Sequence, residues 1–145
     1  MAPDLNVLLA ASRSDHALHR PAIKWLTQAI TECGSGGSIE LLPMVATGFL
    51  RLATHPKIFV APTPISAATA FIDSLLAIPG IVMIEVGREW PTLRQLSCEH
   101  GLSANDITDA WIAATVRTLG ARLVTFDRGF ARLLSRTELM LLKPA

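Results

Sequence analysis

The sequence predicts an α/β domain: a mainly parallel central sheet with helices on both faces. Short apolar runs of strand length alternate with longer stretches in which apolar residues recur at helical spacing. Pro opens several of those stretches and Gly closes them. Half of the 145 residues are apolar, enough for one core without disulfides or a structural metal. Strands alternating with helices imply right-handed crossovers, and ligands of such sheets bind at the carboxyl ends of the strands.

In order along the chain, "APDLNVLLAA" reads as a first strand, with the continuous apolar run Leu5 to Leu9 as its buried part and Asp4 embedded in it. "HRPAIKWLTQAITECG" reads as a helix with Pro21 in its first turn and Gly34 as its stop. "GSGGS" (34–38) is a turn, "IELL" a strand, and "PMVATGFLRLATH" a helix with Pro43 at its first position. The prolines of "KIFVAPTPIS" require a loop, after which Ser66 is expected to cap the helix "AATAFIDSLLA". "IVMIEV" follows as a strand and "WPTLRQLSCEHG" as a helix. Ser103 is expected to cap "ANDITDAWIAATVRTLG", with Gly120 as the left-handed stop. "ARLVTF" is a strand, "DRGFARLLS" a short helical segment, and "LMLL" an edge strand. The whole, 1–145, is expected to be a single domain.

Composition narrows the function classes. A net charge of +1, from 13 Lys or Arg against 12 Asp or Glu, excludes a polyelectrolyte tail, so phosphate must be met by a local patch. Cys33 and Cys98 have no CxxC spacing and read as buried small hydrophobes of a reducing compartment. With no basic leader and no long uncharged apolar run, a cytoplasmic location is expected. His16 and His19 lack the partners of a zinc site and read as polar contacts at a helix entry. Trp25, Trp90 and Trp111 read as core or interface residues.

Three acids stand out. Asp127 follows "LVTF" at a strand's carboxyl end, and Asp109 lies early in its helix; alone, either has an ordinary explanation as a cap or a dipole partner. Asp4 does not, because a carboxylate buried in a strand needs a cation. Carboxylates converging from separate elements suit Mg²⁺ or Mn²⁺, hard ions that keep waters and bind phosphate oxygens. Such an ion activates water and neutralises charge on a phosphate, which is the chemistry of phosphodiester hydrolysis.

The blocks "PDLNVLLAA", "GFLRLATHP", "NDITDAWIAA" and "LVTFDRGFARL" resemble, in order, those of PIN domains, specifically the VapC-type ribonuclease toxins of toxin-antitoxin (VapBC) systems. The resemblance implies a three-layer PIN-like fold and a Mg²⁺-dependent endoribonuclease, with Mn²⁺ able to substitute. It also implies tRNA or ribosomal RNA as substrate, neutralisation by a cognate VapB-type antitoxin, and a homodimer. Asp4, Asp109 and Asp127 then take the catalytic, metal-binding positions, with Asn6 and Thr125 supporting. The family places a Glu in the helix after the second strand, where Ala46 stands here, so the resemblance also implies a depleted acid set. Asp106 is a further candidate ligand, or else a first-turn partner of Ser103. Arg51, His55, Lys57, Arg128 and Arg132 lie near the acidic blocks and are expected to guide RNA. Loss of the Glu keeps open a second reading, a catalytically attenuated or silent module that acts by binding antitoxin or RNA.

Overall fold

The computed structural model describes residues 1–144 and reveals a strand order that brings the two ends of the chain together. Strand β1 (Ala2–Pro3) pairs in parallel with β4 (Leu123–Thr125), and β4 with β5 (Leu139–Leu141). Strands β2 (Ile39–Leu41) and β3 (Ile81–Met83) form a second parallel pair. The Glu40 amide donates to the Met1 carbonyl at 2.9 Å and laces the two sets into the order β3, β2, β1, β4, β5. The expected edge strand at "LMLL" is therefore present, beside β4.

The first strand is where the chain departs most from expectation. Only Ala2–Pro3 pair as strand; Leu5–Ser12, expected to extend it, form helix α1. A continuous apolar run cannot by itself distinguish a buried strand from a buried helix, and Val7 to Ala11 are buried in either case. Asp4 decides between them. Its amide still donates to the Val124 carbonyl at 2.8 Å as a ladder residue, while its carboxylate accepts the Leu5 amide at 2.7 Å and starts the helix. Asp4 thus stands at the carboxyl end of β1.

The other helices follow the punctuation closely: α2 (His19–Cys33), α3 (Pro43–Ala53), α4 (Ile65–Leu76), α5 (Trp90–Glu99) and α6 (Asn105–Leu119). Gly120 ends α6 in the left-handed conformation, at φ 65°. Neither expected serine cap forms. Helix α4 begins two residues earlier, behind Pro64, so Ser66 lies within it; α6 starts behind Ala104, and Ser103 offers only its carbonyl to the Asp106 amide. Ala104 has φ 52° and ψ −126°, a region that disfavours a side chain. "DRGFARLLS" folds as a 3₁₀ turn over Arg128–Arg132.

Helix α1 packs on α2 and α3, α3 on α4, and α5 on α6, around a core that includes Leu8, Phe49, Ile112, Leu123 and Phe130. Cys33 is half-buried, but Cys98 is exposed, contrary to expectation, because α5 buries only its Leu96 face. His16 and His19 make the expected helix-entry contacts: His16 Nδ1 accepts the Leu18 amide at 3.0 Å, and His19 Nδ1 lies 2.8 Å from the Ala10 carbonyl oxygen. Trp25 and Trp111 are half-buried and Trp90 is 62% exposed. No helix among the described residues is long and apolar enough to cross a membrane.

Candidate active site

Strand β1 delivers Asp4, strand β4 delivers Thr125 and, two residues on, Asp127, and α6 carries Asp109. Asp4 is buried and both its oxygens are engaged: Oδ1 by the Leu5 amide at 2.7 Å, Oδ2 by the Thr125 hydroxyl at 2.7 Å. That hydroxyl also accepts from Asn6 Nδ2 at 3.1 Å and from the Asp127 amide at 3.0 Å. Asn6 Oδ1 receives the Phe126 amide at 3.3 Å. Thr125 is fully buried, and its one hydroxyl fixes the first acid, the supporting amide and the backbone of the last acid together.

Burial pushes the Asp4 carboxyl above the ordinary Asp range; the Thr125 and Leu5 hydrogen bonds pull it back in part, and the charges of Asp109 and Asp127 push it further up. Asp109, half-buried, is raised by burial and then by Asp127, against a partial offset from Arg132. Asp127 is exposed and caps the 3₁₀ turn, accepting the Gly129 amide at 2.8 Å. The three acids therefore repel one another across the carboxyl edge of the sheet.

Among the described residues they do not close into a ready-made cage: no three His, Cys, Asp or Glu side chains stand at metal-binding distance. Each carboxylate is held on its own element: Asp4 at the end of β1, Asp109 on α6, and Asp127 beyond β4. The donor set nevertheless fits a hard divalent cation. It consists of oxygens alone, and two of the three carboxyls are held above their ordinary range by burial and by each other, a repulsion a cation would relieve.

Asp106 is not a cap, and its charge adds to the upward push on Asp109. Its carboxylate forms a half-exposed ion pair with Arg132 at 2.9 Å. This also commits Arg132, while Arg128 beside Asp127 is exposed with no ion pair among the described residues. Arg51 lines a cleft of about 490 Å³ with Leu5, Gly48, Thr108 and Trp111, next in sequence to Asp4 and Asp109. Lys57 is exposed, and His55 uses Nδ1 to accept the Lys57 amide at 3.1 Å, a contact that shapes the turn after α3.

Ala46 lies on the other side of α3 from that cleft. It is 8% exposed and lines a crevice with Thr69, Ile72, Asp73 and Met83, towards α4 and β3. The side of α3 towards Leu5 and α6 carries Met44, Gly48 and Arg51. No residue of α3 is acidic, so the helix supplies no carboxylate whichever position faces the site.

Sequence reasoning did not single out Glu89. It is 5% exposed, accepts the Gly87 amide with both oxygens, and takes Trp111 Nε1 at 3.4 Å, tying the start of α5 to α6. Its only signal in the sequence is an acid next to a helix-opening "WP".

Three acids at the carboxyl edge of a parallel sheet in the order β3-β2-β1-β4-β5 accord with one class of protein. The PIN domain family model matches residues 1–134, and the chain belongs to the PIN-domain family. Within it, the curated relatives include VapC ribonucleases. The chain is 35% identical over 133 residues to ribonuclease VapC43 of Mycobacterium tuberculosis, covering 89% of this chain and 86% of the relative. It is 36% identical over 133 residues to ribonuclease VapC31 of the same species, covering 91% and 92%. Among solved structures, VapBC2 from Rickettsia felis bound to a DNA fragment from their promoter aligns at TM-score 0.63 and 15% identity, covering 98% of both chains. FitAcB from Neisseria gonorrhoeae aligns at 0.59 and 18%, covering 99% and 96%. These two carry the fold.

Proposed function

We propose that the chain is a divalent-metal-dependent endoribonuclease toxin that hydrolyses RNA phosphodiester bonds and is neutralised by a VapB-type antitoxin. The observation that carries this reading is the buried Asp4 carboxylate, tied to Thr125 and raised in part by Asp109 and Asp127. Asp4, Asp109 and Asp127 would hold Mg²⁺, or Mn²⁺ in its place; bound there, the ion supplies an activated water and neutralises charge on the phosphate. Thr125 and Asn6 orient the first acid and the backbone leading to the last. Arg51 and Arg128, with Lys57 and His55 further out, draw the RNA backbone towards the acids. Arg132 holds Asp106 and trims the negative charge around Asp109.

Identity to the VapC ribonucleases supports the activity, and that kinship together with the fold shared with VapBC2 supports a VapB-type partner. The antitoxin's seat is the apolar surface of α3 and α4, where a homodimer also forms, in the cytoplasm with the RNA. Incubation of purified chain with total tRNA and ribosomal RNA tests the reading. Discrete cleavage in Mg²⁺, lost in EDTA, restored by Mn²⁺ and absent from Asp109→Asn, is the expected result; equal cleavage by Asp109→Asn overturns it.

One observation favours a second reading. Because α3 brings no acid, the donor set is one carboxylate short of the family's, and a module that binds RNA or antitoxin without cutting fits it. Binding of RNA by the unsubstituted chain without any metal-dependent cleavage is the result that selects it.

A further inference from the structure

A second cleft, of about 410 Å³, opens between α2 and the segment after β5, its floor largely apolar and its rim carrying cations. Arg20, Lys24, Trp25 and Gln28 line it from α2, and Leu142 and Lys143 from the other side. Arg20, Lys24 and Gln28 follow one another at four-residue spacing, so they share one helix face, and Trp25 lies on the adjoining ridge. No acid lines the cleft, and its three cations make none of the ion pairs found among the described residues.

Both α2 cations are placed at a cost to the helix. Like charges at four-residue spacing repel, and Arg20, the second residue of α2, sits at the positive end of the helix dipole. Anionic groups in the cleft relieve both. Trp25, half-buried and so held in position, offers the flat apolar face on which a nucleobase stacks.

Its place in the sheet connects this cleft to the acids. The Leu142 amide donates to the Thr125 carbonyl at 2.8 Å, while the Thr125 hydroxyl holds Asp4. The cleft therefore opens from the same carboxyl edge, one strand away from the acid centre.

Building on the ribonuclease reading, we propose that Arg20, Lys24, Lys143 and Trp25 form a substrate subsite that holds single-stranded RNA to one side of the scissile bond, the cations on its phosphates and Trp25 under a base. Its size lies within the range of small-ligand pockets, and its cation and aromatic lining matches the chemistry of single-strand binding.

The test reads binding apart from cleavage. In an Asp109→Asn background, a labelled single-stranded RNA of about 12 nucleotides is titrated by fluorescence anisotropy over a range of KCl concentrations. Each phosphate contact contributes about 0.7 to the slope of log affinity against log salt, so Arg20→Ala/Lys24→Ala/Lys143→Ala should flatten that slope by about 2. Trp25→Leu should weaken binding on the order of tenfold with the slope retained, and Trp25→Phe should restore most of it. In the cleaving background the same losses should appear in KM rather than in kcat. An unchanged slope and affinity in the triple variant, with its thermal melt intact, overturns the proposal. So does loss of binding to a glutamate-rich peptide with RNA binding unaffected, which would make the cleft a protein-docking site. Failure of the unsubstituted chain to cut RNA would sink the ribonuclease reading alone, because the subsite is scored on binding.

Discussion

The Thr125 hydroxyl lies 2.7 Å from Asp4 Oδ2 and spends its single proton there, leaving its lone pairs to Asn6 and the Asp127 amide. Thr125→Val keeps the shape and removes all three bonds. Leaving buried polar groups unmatched should cost about 1–3 kcal/mol in chemical denaturation. Loss of ligand orientation should lower RNA cleavage about 10–100-fold, with Thr125→Ser recovering most of both. Wild-type cleavage by a folded Thr125→Val would show that Asp4 is oriented without the hydroxyl.

Repulsion among the acids makes metal a stabiliser. Mg²⁺ or Mn²⁺ at 100 times its Kd should add about 2.7 kcal/mol to the unsubstituted chain, which differential scanning fluorimetry reads as a rise of several degrees. Asp109→Asn should melt at or above the unsubstituted chain in EDTA, because it removes one of three mutually repelling charges, and should show little metal-induced rise. A full metal shift in Asp109→Asn would remove that residue from the ligand set.

Ala46 is a test of which side of α3 matters. A Glu there meets Ile72 and Met83 and not the acids, so Ala46→Glu should cost about 1–3 kcal/mol of stability without raising metal-dependent cleavage. A gain in cleavage would mean that the side chain at 46 reaches the site after all.

Strain before α6 is removable. Ala104, at φ 52°, occupies a conformation natural to Gly, and Ala104→Gly should stabilise the chain by about 1 kcal/mol as read by urea midpoint. A lower midpoint would show that the added freedom of the unfolded chain outweighs the relief.

The pH dependence has a clear sign at Glu138. Arg117 grips both its oxygens, at 2.7 and 3.1 Å, and with burial opposing and Ser135 assisting, the carboxyl drops to about 2 from an ordinary 4.5. Stabilisation from a depressed acid is complete above about pH 4.5 and drains away as pH falls towards 2. Glu138→Gln should therefore be less stable by about 1.5–3 kcal/mol at neutral pH, and the gap should close on acidification. A gap independent of pH would assign the effect to packing.

Helices α2 to α6 were legible because Pro, Gly and periodicity mark their limits independently of tertiary context. Helix α1 was not: its apolar run is buried on nearly every side, so alternation and helical period leave the same trace. The clue was Asp4 itself, a helix-capping residue immediately before that run. The serine caps failed for a related reason, since a preceding Pro64 and the turn at Ala104 set the helix starts and left the hydroxyls unused. The three acids were visible as residues out of keeping with their elements. That Asp106 pairs with Arg132, or that Glu89 reaches Trp111, depends on packing across 26 and 22 residues, beyond any local pattern.

β1 lies between strands that come later, and its partner β4 begins at residue 123. β1 meets β2 early, but the strand that orients its acid comes late: the bond between Asp4 and Thr125 spans 121 positions. Such a contact closes late, after the loop between its ends has lost its freedom. During synthesis the chain is therefore without its acid centre until almost all of it has left the ribosome. A nascent or C-terminally shortened chain ending before β4 has every residue of α1 to α6 but lacks Thr125, leaving the Asp4 carboxylate only its bond from the Leu5 amide.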